Sequence, residues 1–98
     1  MPTSNTLYRQ LPPADQARVR LYRDLVRQSD FTPLSDTEVA AALDAVRDGI
    51  HDSELEGIEV TPLTRCLLYE RVAMRVPVEV SRGLILRVLS EEPPQAVA

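Results

Sequence analysis

TPLTRCLLYERVAMRVP, residues 61–77, holds two prolines with opposite meanings. Pro62 suits the first position of a helix, where its missing N–H has no helical partner to lose, and Thr61 before it is a cap. Pro77 cannot sit inside an unkinked helix and restricts Val76, so it ends the same helix. Between them apolar residues run around most of the circumference. Leu63, Leu67 and Met74 lie on one side, Cys66, Tyr69 and Ala73 on the next, Leu68 and Val72 on another. Only Thr64, Arg71 and Arg75 give a clean polar strip. Such a helix, over 62–75, is either central in its domain or buried in an oligomer.

Outward from this segment the periodicity stays helical. Residues 78–90 carry Val80, Leu84, Ile85, Val88 and Leu89, with Leu86 on another side, and Glu91-Glu92-Pro93-Pro94 stops them. On the other flank, residues 52–61 read as an acidic connection with Ile58-Glu59-Val60 as a short extended piece. Before that, Ser35 and Glu38 form a capping box that opens a helix over 36–51. Its stripe is Val39, Ala42, Leu43, Val46 and Ile50, and it is predicted to end near Gly49 to Asp52. Residues 29–34 read as a loop. A helix over 13–28, with Pro13 at its first position, places Val19, Leu21, Tyr22, Leu25 and Val26 on one side. Arg20, Arg23 and Arg27 fall together on another side, and Arg18 projects from within the apolar arc. Residues 1–12 read as an irregular tail. The expected fold is all-α: a small four-helix domain with helices near 13–28, 36–51, 62–75 and 78–90 and an ordered core over about 13–91. The short link at Val76-Pro77 makes the last two helices neighbours. Leu25, Val39, Leu43, Val46, Ile50, Leu63, Leu67, Leu84 and Val88 are the expected core.

Ninety-eight residues with 44% apolar and 27% charged content suit one globular domain with a modest core. All eleven basic residues are arginine. Codon usage in a GC-rich genome accounts for that, which points to a bacterial or phage source. The net charge of −4 is uneven. Residues 1–29 hold five Arg against two Asp, residues 30–59 nine acids against Arg47, and residues 60–98 five Arg against four Glu. The acidic middle disfavours broad contact with a phosphate backbone and suits a basic protein surface or solubility. The N-terminus lacks the apolar run of a signal peptide and no stretch is long enough to span a membrane, so the expected compartment is the cytoplasm. A single cysteine, Cys66, forms no internal disulfide.

The inventory for catalysis is thin. His51, the only histidine, lies at a helix end beside acids and reads as an exposed side chain favoured by the helix dipole. Asp44 to Glu56 has the Asp48-Gly49 pair of a calcium loop, but Val46 and Leu55 stand where oxygen ligands are needed. Cys66 reads as a small buried hydrophobe. No enzyme activity, metal or cofactor is expected.

Partner binding is the better reading. Leu68, Val72, Val80 and Leu86 exceed what two amphipathic helices cover, and soluble monomers seldom leave such surface in water. A symmetric homodimer through the last two helices covers it most simply. A groove for a helix of another protein is the next choice. The Arg20, Arg23 and Arg27 stripe is a second candidate contact, for nucleic acid or an acidic protein, or else a solvated helix face. The expected function is therefore a small regulatory or adaptor protein acting by protein–protein contact, of the chaperone, anti-activator or phage-type inhibitor class. The alternative is a dimeric DNA-binding transcriptional regulator built on residues 58–90, whose order of extended piece, helix, turn and helix is that of a ribbon-helix-helix protein. Against it, the side chains offered to the groove would be Glu59 and Thr61, and a carboxylate there is repelled by phosphate. Nucleic acid is accordingly not the expected partner.

Overall fold

A computed structural model describes residues 4–90. Five α-helices and no strand occur among them: α1 (Ser4–Gln10), α2 (Pro13–Gln28), α3 (Asp36–Leu55), α4 (Pro62–Ala73) and α5 (Val78–Ser90). The chain is all-α, with one helix more than the sequence predicts. Residues 4–10 form α1 instead of an irregular tail. Seven residues alone would not hold a helix in water, but Leu7, Tyr8 and the buried Leu11 pack into the core beside α2 and α4. Gln16 Nε2 also donates to the Tyr8 carbonyl at 3.0 Å, satisfying one of the carbonyls at the end of α1. Residues 1–3 and 91–98 of the expected tails lie outside the described residues.

Local chemistry sets most helix ends. The Glu38 N–H donates to Ser35 Oγ at 3.2 Å and the Ser35 N–H donates to Glu38 Oε1 at 3.0 Å, a complete capping box. Thr61 Oγ1 accepts from the Thr64 N–H at 3.2 Å, with Pro62 in the first turn of α4. Gly49 does not end α3, because Ile50 and Ser53 continue its covered face. The helix runs to Leu55 and stops where Gly57 takes φ 81°. There the Gly57 N–H donates to the Glu54 carbonyl and the Ile58 N–H to the Ser53 carbonyl, a Schellman motif. The end of α4 repeats this pattern with Arg75, at φ 60°, in the glycine position. That is why α4 ends at Ala73 and not at 75. Ile58–Val60 is irregular and forms no ribbon.

Two apolar clusters meet on α4. One holds Val19, Tyr22, Leu25 and Val26 of α2 with Leu63, Cys66 and Leu67 of α4 and Val76 and Val88 beyond it. The other holds Ala42, Val46 and Ile50 of α3 with Val72 of α4. The all-round apolar character of α4 is thus explained inside one chain: α1 and α2 lie on some sides of it and α3 on another. Six of the nine expected core residues are buried, while Val39, Leu43 and Leu84 are half-buried against the clusters.

The last two helices are adjacent in sequence but α5 packs chiefly on α2. Two hydrogen bonds tie it there. Tyr22 Oη and Ser81 Oγ are 2.8 Å apart at the start of α5, and Arg18 Nη1 donates to the Leu89 carbonyl at 3.1 Å near its end. Among the described residues no helix is long and apolar enough to cross a membrane.

Candidate protein-binding groove

Because α3 leans on one side of α4 and α5 on α2, the outer surface of α4 between them stays partly open. Three hollows on this side share Arg71 and Val78 as lining residues. The floor is Thr64, Leu68 and Arg71 of α4. One wall is Ala41, Ala45, Gly49 and Ile50 of α3, and the other is Val78, Arg82, Ile85 and Leu86 of α5. Small residues at 41, 45 and 49 recur every four positions, so they align on one edge of α3. A methyl group placed on Gly49 would meet nothing within 4 Å. The α5 wall is bulkier, with Val78 and Leu86 both exposed.

The groove also carries charge. Arg71 is half-buried and its Nε donates to the Val76 carbonyl at 3.0 Å. Among the described residues no carboxylate pairs with Arg71 or Arg82. In contrast Arg23, Arg27, Arg47, Arg65 and Arg75 each have an acid partner. Glu38 and Glu79 lie at the Pro33 and Pro77 end of the groove.

The residues singled out from sequence divide between this groove and other places. Leu68 is on its floor and Leu86 on its rim. Val72, counted there as surplus, is buried against Ala42, Val46 and Ile50, because α3 covers the side of α4 that the sequence left open. Val80 is half-buried in the α2 cluster. The arginine stripe shares no lining residue with the groove, and each of its members is engaged within the chain. Arg20 Nη1 donates to Tyr8 Oη at 2.7 Å, and Arg27 pairs with Asp24 at 3.1 Å. Arg23 donates to both carboxylate oxygens of the buried Glu70, at 2.7 and 3.3 Å, and its guanidinium lies 4.7 Å from the Tyr8 ring centre. Glu70 was missed in the sequence, although it falls at the next helical turn of the Leu63, Cys66, Leu67 face. Val78 and Arg82, central to the groove, stand out only once α5 is placed.

His51 is exposed, and residues 44–55 of the calcium-like segment are helical. Among the described residues no group of acids, histidine and cysteine is placed to hold a metal. Burial pushes the Cys66 thiol up to about 11, and the Glu70 charge adds to it while Arg23 opposes. A reactive cysteine needs the reverse shift. Burial likewise raises Tyr22 above the usual phenol range, with Ser81 and Arg71 opposing. Compared with family models, curated proteins and solved structures, the chain gives no match.

Proposed function

We propose that this chain is a cytoplasmic regulatory or adaptor protein that works by protein–protein contact, not by catalysis, and that its contact surface is the groove between α3 and α5. One observation carries the reading. Leu68, Val78, Ile85 and Leu86 line an open apolar cleft that α5 leaves by packing on α2. Covering an apolar side chain of this size is worth about 1.5–3 kcal/mol, so the four together supply a useful share of a binding energy. Clefts of this shape accept a helix by its apolar stripe. The homodimer expected from the sequence falls within this reading, with Leu68 and Leu86 as the surviving contacts of the original four.

Site-specific photo-crosslinking tests it. A photoreactive side chain at position 86, in cells that naturally make the protein, is expected to give a discrete adduct that Leu68→Glu abolishes. The same probe at position 24, on the exposed side of α2, is expected to give none. Adducts that are equal at both positions, or absent at 86, would sink the groove as the contact surface.

A further inference from the structure

Past its Ser53 and Val60 end, the groove has an unmatched counterpart on the same chain. Leu55 and Ile58 are the most exposed of the other large apolar residues left in solvent, at 72% and 57%, with Leu89 at 37%. Leu55 and Ile58 sit where α3 ends, flanked by Asp52, Glu54, Glu56 and Glu59. This corner is apolar and acidic, whereas the α4–α5 side of the groove is apolar and carries Arg71 and Arg82, which pair with no carboxylate among the described residues. We propose that the occupant of the groove is the α3 corner of a second copy of this chain, residues 52–59, and that two copies exchange these corners in a closed two-fold dimer. The proposal rests on the groove reading above and names its partner.

Three physical points carry it. First, the exchange matches both properties at once. Leu55 and Ile58 leave water against Leu68, Val78 and Leu86, and the corner's carboxylates, of which Glu54 already reaches Arg65 at 3.8 Å, approach guanidinium groups that pair with no carboxylate among the described residues. A charge-assisted pair beside apolar walls is stronger than one in bulk water. Second, a two-fold axis requires the same patch to contribute both halves of the contact, and this chain supplies both halves. Third, Glu38 and Glu79 at the other end of the groove repel an acidic corner. That places the corner towards Arg82 and Leu86. Four of the five exposed large hydrophobics among the described residues, Leu55, Ile58, Val78 and Leu86, then leave water in one arrangement, and Leu89 stays outside it.

The test uses the purified full chain and analytical ultracentrifugation over a wide concentration range. Wild type is expected at twice the chain mass of 11.0 kDa. Leu55→Asp and Leu86→Asp are each expected to sediment as monomers with unchanged helix content, since both side chains are exposed. Mixing these two variants restores one of the two corner contacts and is expected to regain a weaker dimer. The double variant is expected to pair with neither. Arg82→Glu is expected to weaken self-association roughly tenfold, as is high salt. A concentration-independent monomer overturns the proposal and leaves the groove to another protein, which the crosslinking experiment detects separately. A dimer lost with Leu86→Asp but unchanged by Leu55→Asp keeps the groove and overturns the corner as its occupant. A dimer indifferent to both variants overturns the corner and, together with absent crosslinks at 86, the groove reading as well. Mass that keeps growing with concentration overturns the closed two-fold arrangement.

Discussion

Arg75 does at the end of α4 what glycine does at the end of α3. Its φ of 60° is a left-handed conformation that costs an ordinary side chain about 1–2 kcal/mol. Three contacts hold it there: its N–H groups reach the Leu34 carbonyl at 3.0 Å and Asp36 at 2.7 Å, and its own carbonyl accepts from the Leu34 N–H. Arg75→Ala loses the side-chain contacts and keeps the strain, whereas Arg75→Gly loses the contacts and relieves it. Urea unfolding is expected to show the glycine variant about 1 kcal/mol more stable than the alanine variant. The Arg23–Glu70 pair is unequal in the same way. The Glu70 side chain is almost wholly covered, while Arg23 retains a quarter of its exposure and can turn to water. Arg23→Ala therefore strands a buried carboxylate and should destabilise by about 2–4 kcal/mol, more than Glu70→Ala. Equal losses would mean that the pair is worth no more than its packing. Glu70 was missed in the sequence, although it is a charge on an apolar helix face. Its partner was not legible, because 47 residues separate the two and only the docking of α2 on α4 joins them.

At the scale of elements, helix starts follow from local chemistry and were legible. Ser35→Ala should cost about 0.5–2 kcal/mol. The hydrogen bonds from Ser35 hold the Glu38 carboxyl below its usual value, so the box contributes stability above the unfolded carboxyl pKa and loses it as pH falls through the folded one. The Ser35 N–H to Glu38 bond survives Ser35→Ala, so the test is Glu38→Ala, whose difference from wild type is expected to shrink below about pH 4 in thermal melts. A constant difference would show that the Glu38 half of the box contributes nothing. The ends of α3 and α4 were less legible. Gly49 reads as a stop only if the covered face ends with it, and burial of Ile50 carries the helix past it. The helix α1 was not legible, since seven residues carry too little periodicity to reveal a helix that tertiary contact stabilises.

For the molecule as a whole, the distribution of charge bears on the DNA-binding alternative. The stripe of Arg20, Arg23 and Arg27 is engaged within the chain, residues 58–60 form no ribbon, and the acidic corner of α3 stands beside them. No specific binding to duplex DNA is expected at physiological salt. Gel shifts across a salt series check this, since a specific complex would persist and show the steep fall of log affinity with log salt that counterion release produces. A reproducible footprint on a defined operator would reverse the order of the two functions.

The sequence by itself determined the helical class, the starts of α2 to α5 and the stripes that became core, because caps, prolines and a 3.6-residue period act over a few residues. It also marked 62–75 as either central in its domain or buried in an oligomer, because a helix apolar on nearly every side needs cover, and packing by α1, α2 and α3 made it central. It could not say which neighbour covers which side. Val72 and Leu68 are four residues apart on α4, yet α3 buries the first and leaves the second on the floor of a groove. That outcome depends on α5 following α2 through Tyr22, Ser81 and Arg18, contacts 59 to 71 residues apart along the chain. Side-chain pairs at such separations have no local signature, and the groove exists only through them.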